Sequence, residues 1–130
     1  MSDPDETRAV VEAYFRAWST NNVDAAYACL APDLEFIGPS AHYTTAEQFR
    51  PALVGFAAVT RSARIAELIV ERDRAALLYD CELAPPAGPT RIASFFRVER
   101  GKIRWYETRF DPTEFRKLAR AAPAPAPKSE

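Results

Sequence analysis

The order of hydrophobic periodicities along the chain is the feature that most constrains its fold. In the first half, apolar residues recur at the three- and four-residue spacing of helices that bury one face. In the second half, extended segments predict four strands, over residues 64–72, 75–83, 90–98 and 102–110. Helices followed by a run of strands indicate an α+β domain rather than alternating βαβ units.

The N-terminal segment predicts the first helix. Asp3 suits the N-cap, Pro4 suits the first helical position, and two acidic residues follow where the helix dipole favours them. The helix is expected to end at residues 20–22. A second, short helix is predicted over residues 23–30, with Pro32 stopping it. The apolar face of the first helix consists of Val10, Val11, Tyr14, Phe15 and Trp18.

A short strand and a third helix complete the first half. Residues 34–37 predict a strand that a Gly-Pro pair closes. Thr44 and Glu47 match a capping box and therefore predict the start of a helix. Pro51 would kink this helix or move its start. The apolar side of the helix carries Phe49, Leu53 and Phe56.

The C-terminal part predicts a hairpin, a helix and a tail. Residues 99–101, Glu-Arg-Gly, are typical of a hairpin turn between the last two strands. Asp111 is expected to cap a final helix over residues 112–120. Residues 121–130 alternate Ala and Pro before charged residues, which predicts a disordered tail. The folded domain is therefore expected to span residues 1–120.

Charge and composition exclude several classes of partner. With 17 basic and 18 acidic residues, the formal net charge of −1 gives no reason to expect binding to a nucleic acid. No apolar run approaches the roughly 20 residues of a membrane span, and the acidic N-terminus lacks a signal-peptide pattern. Cys29, Cys81 and the single histidine, His42, are too scattered for a zinc site. We expect a cytoplasmic protein with free thiols and no metal or organic cofactor.

Several short segments, taken in order, resemble a known family. Residues 9–14 (Ala-Val-Val-Glu-Ala-Tyr) lie in the first helix, and residues 30–33 (Leu-Ala-Pro-Asp) precede the first strand. Over residues 8–118 the chain resembles the SnoaL-like branch of the nuclear transport factor 2-like superfamily, the relatives of polyketide cyclases and ketosteroid isomerase. Further matching segments are residues 78–80, 96–98, 101–103 and 110–112, followed by Phe115.

The resemblance implies a cystatin-like cone. A strongly curved, mixed or antiparallel sheet would wrap the N-terminal helices and leave an apolar pocket at its wide end, the default place for a ligand. A slip of one residue in any strand would exchange its faces, because side chains alternate with period two. Phe95 and Trp105 would point outward, as would Asp80 and Glu82. The side chains assigned to the inside are Tyr79, Cys81, Leu83, Ser94, Phe96, Tyr106, Thr108 and Phe110.

The chemistry of two relatives is only partly represented. A ketosteroid-isomerase site uses a carboxylate base and two donors that hold an enolate oxygen. Tyr14 matches the family's oxyanion tyrosine, but the base position falls near Gly38 and the second donor on Ser94, so the isomerase activity is not carried over. An epoxide-hydrolase site would need a buried Asp–Arg–Asp set. The nearest candidates are Asp33 and Asp111, and capping alone explains Asp111.

Two residues have both a functional and a structural interpretation. His42 is the only side chain whose ordinary pKa lies near neutrality, so it is the natural acid–base group if it lies at the pocket mouth. Otherwise it is a solvated loop histidine. Tyr14 either holds a ligand oxygen or is a core aromatic with a backbone partner. Cys81 is expected to be a small buried apolar residue.

The sequence therefore predicts a protein that binds a small, apolar, ring-containing ligand. If it is an enzyme, cofactor-free proton transfer of the isomerase or cyclase type is expected, with Tyr14 and His42 as catalytic residues. The alternative is a non-catalytic binding or dimerisation module. A homodimer through Phe95 and Trp105 is expected in either case. The residues predicted to contact the ligand are Trp18, Phe36, Phe49, Phe56, Tyr79, Cys81, Ser94, Phe96, Tyr106, Thr108 and Phe110.

Overall fold

Four helices and six strands make up residues 3–121, the part of the chain that the computed structural model describes. The helices are α1 (Pro4–Ser19), α2 (Val23–Ala28), α3 (Ala46–Val59) and α4 (Thr113–Ala121). The strands are β1 (Leu30–Ile37), β2 (His42–Tyr43), β3 (Thr60–Glu71), β4 (Arg74–Leu83), β5 (Thr90–Glu99) and β6 (Lys102–Arg109). The predicted tail lies outside the described residues, apart from Ala121, which ends α4.

The strands form one curved sheet in the order β2-β1-β6-β5-β4-β3. Strands β1 and β6 are parallel, and the other neighbours are antiparallel. The register shifts between Ile65 and Glu67 in β3 and between Arg97 and Val98 in β5. Such bulges bend a strand and increase its twist, so they help the sheet to wrap around the helices. The predicted α+β fold, with a curved mixed sheet, is confirmed.

Helix α1 packs along the concave face of the sheet. Asp3 is its N-cap, and the Asp3 carboxylate accepts a hydrogen bond of 2.7 Å from the Glu6 backbone N–H. Tyr14 and Trp18 are each 1% exposed, and burying side chains of this size stabilises the fold by roughly 1.5–3 kcal/mol each. The Thr7 hydroxyl donates to the Arg72 carbonyl at 2.5 Å, which ties α1 to the β3–β4 turn.

The assignment of strand faces is confirmed in β4, β5 and β6. Phe95 is 40% exposed, whereas Phe96 beside it is buried. The turn between β5 and β6 contains Arg100 and Gly101, both with positive φ (54° and 75°), as a two-residue type I′ turn requires. Most of the side chains that were predicted to face inward are buried. They are Tyr79, Cys81, Leu83, Ser94, Phe96, Tyr106 and Thr108.

The predictions for residues 29–33 are wrong, because long-range pairing replaces local helical preference there. Helix α2 ends at Ala28, and β1 begins at Leu30 instead of residue 34. The Cys29 carbonyl accepts a hydrogen bond of 2.8 Å from the Ile103 N–H, and Leu30 pairs with Ile103. Pro32 lies where the β1–β6 register shifts, a place where a missing N–H is tolerated.

Helix α3 begins one residue later than its predicted capping box implies. Thr45 is the N-cap, and its hydroxyl accepts a hydrogen bond of 3.1 Å from the Gln48 N–H. The Gln48 side chain accepts in return from the Thr44 N–H at 3.0 Å. Pro51 lies inside the helix, which continues to Val59. Strand β3 follows directly at Thr60, four residues earlier than predicted.

Candidate functional site

A cavity of about 540 Å³ lies between the sheet and helices α1, α3 and α4. Its buried wall consists of aromatic and apolar side chains, and its exposed rim includes residues 38–41, Gly55 and part of α4. The cavity brings together many of the residues that the sequence predicts to contact a ligand. Those that line it are Tyr14, Phe36, Phe49, Phe56, Tyr79, Tyr106, Thr108 and Phe110.

Tyr106 lies at the centre of the aromatic wall. Its ring meets Tyr14 edge to face, with centroids 5.4 Å apart, and stacks on Phe96 at 4.7 Å. Phe36 and Phe49 approach the same ring at 4.9 and 5.6 Å, again edge to face. Edge-to-face and offset contacts of this kind stabilise aromatic clusters beyond the area they bury. The Tyr106 hydroxyl is therefore carried on a ring held by four neighbours.

A group of buried hydroxyls lies on the cavity wall and, for Ser94, directly behind it. The Ser94 hydroxyl, on β5, is 2.8 Å from the Thr108 hydroxyl and 3.5 Å from that of Tyr79. Burial raises the pKa of Tyr14 well above its usual value, and the nearby Tyr106 hydroxyl adds to the shift. Burial also raises the pKa of Tyr106 to about 12. Both phenols stay protonated near neutral pH, so both are hydrogen-bond donors.

His42 does not line the cavity, although residues 38–41 before it do. It lies on the edge strand β2 rather than in a loop, and its side chain is 57% exposed. The His42 Nε2 atom is 2.8 Å from a carboxylate oxygen of Glu35 on β1. The predicted acid–base group therefore lies outside the cavity lining and contacts Glu35 at the surface instead.

Neither candidate aspartate lines the cavity. Asp33 is exposed and forms an ion pair with Arg104 at 3.1 Å. The Asp111 carboxylate accepts hydrogen bonds from the hydroxyl and backbone N–H of Thr113, at 2.6 and 3.0 Å, and these bonds lower the pKa of Asp111. The capping interpretation of Asp111 is confirmed. Among the described residues that line the cavity, none is Asp, Glu, His or Lys.

Four of the predicted contact residues lie behind the cavity wall. Trp18 packs against Phe56 at 4.8 Å and against Tyr79 at 5.6 Å, which places it in a layer that supports the lining rings. Cys81 is buried, and burial raises its pKa to about 12, so it is a neutral thiol. The residues that are buried but absent from the lining are Trp18, Cys81, Ser94 and Phe96.

Sequence reasoning missed the contribution of α4 and of one edge of α3. The spacing of Phe115, Leu118 and Ala119 is helical and could have indicated a packed face, but nothing local shows what that face covers. Gly55, at the rim, has open space around it, because a Cβ added there would have no heavy atom within 4 Å. The other missed lining residues on these helices are Ala52, Leu53, Val59 and Arg116.

Two further features of the described residues bear on function. Within residues 3–121, no three His, Cys, Asp or Glu side chains are grouped so that they could hold a metal ion. None of the helices in this range combines the length and apolar character that crossing a bilayer requires.

The sequence pattern of the SnoaL-like domain family matches residues 11–106. This match covers most of the curved sheet and the helices inside it. The chain belongs to the SnoaL-like domain family. Among curated proteins, no sequence matches this SnoaL-like domain significantly.

Solved structures share the fold of this SnoaL-like domain. A protein from Kribbella flavida DSM 17836 is 25% identical, with a TM-score of 0.81 over 87% of this chain and 93% of its own. A nuclear transport factor 2-like protein of unknown function from Cytophaga hutchinsonii is 23% identical, with a TM-score of 0.71 over 87% and 94%. A proposed polyketide cyclase from Sinorhizobium meliloti is 24% identical, with a TM-score of 0.69 over 77% and 93%.

The SnoaL-like domain has little room for a larger side chain at Gly38, which lines the cavity. A Cβ added to Gly38 would lie 3.0 Å from the Phe36 ring, so a longer side chain would need that ring to move.

Proposed function

We propose that this SnoaL-like domain binds a small, apolar, ring-containing molecule and holds one of its oxygen atoms with hydroxyl groups. The cavity carries the proposal, because its volume of about 540 Å³ lies within the range of small-molecule sites. Its wall is mostly aromatic and apolar, which suits a ring system. Tyr14, Tyr106 and Thr108 bring hydroxyls to the same wall.

The hydroxyl groups have protons to offer a ligand. Each hydroxyl supplies one proton. Ser94 is hydrogen-bonded to Thr108 and to Tyr79. Tyr14 and Tyr106 are protonated phenols that interact with each other, and Tyr106 also interacts with Ser94 and Tyr79. A carbonyl or phenolic oxygen of a ligand would accept a hydrogen bond from one of these hydroxyls in place of a bond within the network.

The lining favours binding over proton abstraction. No carboxylate or imidazole of the described residues lines the cavity, so no lining side chain serves as an ordinary general base. Turnover of the isomerase or cyclase type would use Tyr14 and Tyr106 to stabilise an enolate oxygen, with the proton moving through water or groups of the ligand. A non-catalytic binding module would use the same contacts.

Removing the Tyr106 hydroxyl should weaken binding of carbonyl ligands selectively. A suitable pair of fluorescent probes is prodan, a naphthalene with a carbonyl group, and N-phenylnaphthylamine, which has none. In Tyr106→Phe the affinity for prodan should fall about five- to tenfold, because one hydrogen bond contributes about 1 kcal/mol. Fluorescence titration measures both affinities, and native mass spectrometry of freshly purified protein tests for a ligand that co-purifies.

His42→Gln provides the matched control, because His42 lies outside the cavity lining. Both affinities should be unchanged in this variant. Equal losses for the two probes in Tyr106→Phe would contradict the role of the hydroxyl, and failure of both probes to bind the wild-type protein would contradict the proposed function.

We also propose that the protein forms a homodimer through the outer face of the sheet. Ile69, Ala76 and Phe95 lie in register across β3, β4 and β5, and Ile69 and Phe95 are 58% and 40% exposed. Trp105 follows on β6, one row away and half-buried. An apolar row of this kind on a sheet face is typical of an interface.

The charged residues around this row are Arg97, Glu107 and Arg109. Glu107 pairs with Arg109 of its own strand, so neither is left to meet an opposite charge across a two-fold axis. Arg97 has no ion-pair partner within 4 Å among residues 3–121 and is the cation that remains for such a contact.

The cytoplasmic location expected from the sequence stays a prediction.

A further inference from the structure

Arg116 is the only charged side chain among the described residues that line the cavity. It lies on α4 and is exposed, so its charge is at the rim rather than at the buried end. We propose that the natural ligand is an amphipathic organic anion, whose ring body fills the cavity and whose acid group binds the Arg116 guanidinium. This inference rests on the proposed function and names the class of ligand for the same site.

The acidic groups near Arg116 are already engaged. Asp111, just before α4, accepts two hydrogen bonds from Thr113 through its carboxylate, and the effect of Arg116 on the pKa of Asp111 is smaller than that of these bonds. Glu114, on the same helix, binds the Gly88 N–H at 2.5 Å and the Lys117 ammonium at 2.9 Å. Within residues 3–121, no carboxylate lies within ion-pair distance of the Arg116 guanidinium.

The charge around the mouth favours an anion. The rim segment of residues 38–41, Gly-Pro-Ser-Ala, contains no charge, and the lining face of α3 contains none either. Helix α4 carries three cations, Arg116, Lys117 and Arg120, against one acid, Glu114. An anionic group at the rim therefore meets more positive than negative charge on α4, although the Asp111 carboxylate before the helix also attracts Arg116. A guanidinium can hold a carboxylate through two parallel hydrogen bonds, which also fixes the orientation of the ligand.

The two ends of the cavity would then recognise different oxygen atoms. The hydroxyls of Tyr14, Tyr106 and Thr108 are buried on the wall and suit a carbonyl or phenolic oxygen. Arg116 is exposed at the rim and suits an ionised group, because a charge at the rim keeps part of its hydration. The apolar wall between them takes the ring system. A neutral ligand would lack the second contact, and a cationic one would be repelled.

Two probes that share one skeleton test this inference. Anilinonaphthalene sulfonate is an anion, and N-phenylnaphthylamine is its neutral counterpart without the sulfonate. In Arg116→Gln we expect the affinity for the sulfonate to fall about five- to tenfold, while the affinity for the neutral probe changes less than about twofold. Arg120→Gln is the matched control, because Arg120 lies one turn further along α4, is exposed and does not line the cavity. Both affinities should be unchanged there.

The variant Gly55→Phe fills the cavity mouth, so the probe fluorescence that it removes is the fluorescence of probe bound in the cavity. The inference is supported if Arg116→Gln weakens binding of the sulfonate but not of the neutral probe, and if Arg120→Gln weakens neither. Binding of both probes at wild-type affinity to Arg116→Gln would overturn the anion site and leave cavity binding intact. Equal weakening by Arg120→Gln would also overturn it, because the general field of α4 would then be responsible. Absence of any cavity signal in the wild-type protein would instead overturn the proposed function.

Discussion

Replacing Gly55 with phenylalanine should abolish most ligand binding without destabilising the protein. Gly55 lies at the rim of the cavity, on the edge of the α3 face that also presents Ala52 and Val59. A Cβ at Gly55 has open space around it, so a benzyl group can occupy the mouth instead of pushing into the core. Steric overlap with a ligand costs about 1–3 kcal/mol, so the affinity should fall roughly tenfold to hundredfold.

The stability of this variant should rise slightly. A glycine inside a helix is unfavourable by about 1 kcal/mol relative to alanine, and phenylalanine recovers about half of that. Chemical denaturation measures the free energy of unfolding, and titration with N-phenylnaphthylamine measures binding. The two measurements together separate a filled cavity from a damaged fold, because damage would lower both.

Val54→Phe is the matched control for Gly55→Phe. Val54 is the preceding residue of α3, is 45% exposed and does not line the cavity, so it adds similar bulk on another face. This variant should bind the probe like the wild-type protein. If Gly55→Phe also kept wild-type affinity, the ligand would have to enter or bind elsewhere, and the proposed site would be wrong.

A glutamate at position 105 should convert the proposed dimer to a monomer. Trp105 lies on the outer face of β6, between Arg97 on β5 and Glu35 on β1. Burying a carboxylate at an interface costs several kcal/mol of desolvation, even beside Arg97, so the equilibrium should shift toward the monomer. Light scattering at micromolar concentration should give about twice the chain mass of 14.5 kDa for the wild-type protein and a value near 14.5 kDa for Trp105→Glu.

The control for the dimer is Glu82→Lys. Glu82 is exposed on β4, outside the row of Ile69, Ala76 and Phe95, so reversing its charge should leave the mass unchanged. A second variant, Phe95→Glu, should act like Trp105→Glu. A wild-type mass near 14.5 kDa under the same conditions would refute the dimer.

Local sequence patterns correctly predicted the elements in which the conformational preference of the residues and their contacts in the fold favour the same structure. Asp3 caps α1 as expected, because its hydrogen bond spans only three residues. The Arg100-Gly101 turn followed from its residue types. The cap and the turn depend on neighbours close in the chain. The faces of β4, β5 and β6 followed from the family resemblance, which chose between the two sets that alternation with period two allows.

The errors lie where distant contacts oppose local preference. The start of β1 at Leu30 depends on pairing with Ile103, which is far away in the sequence. The short strand β2 exists because His42 and Tyr43 pair with the end of β1, and the same pairing brings His42 beside Glu35. A two-residue strand has no periodicity of its own that a sequence could display.

The sequence by itself determined the family and the order of the elements, because these follow from periodicity and short motifs. The resemblance to the family then supplied the side of each late strand that faces the core. The tertiary structure decided which side chains share the cavity. Tyr14, Gly55, Tyr106 and Arg116 come from α1, α3, β6 and α4, and only the curvature of the sheet brings them to one wall. It also decided that His42 lies outside this wall and Arg116 at its rim. The spacing of these residues along the chain does not predict that they lie close together, because each segment is positioned by contacts with residues far from it in sequence.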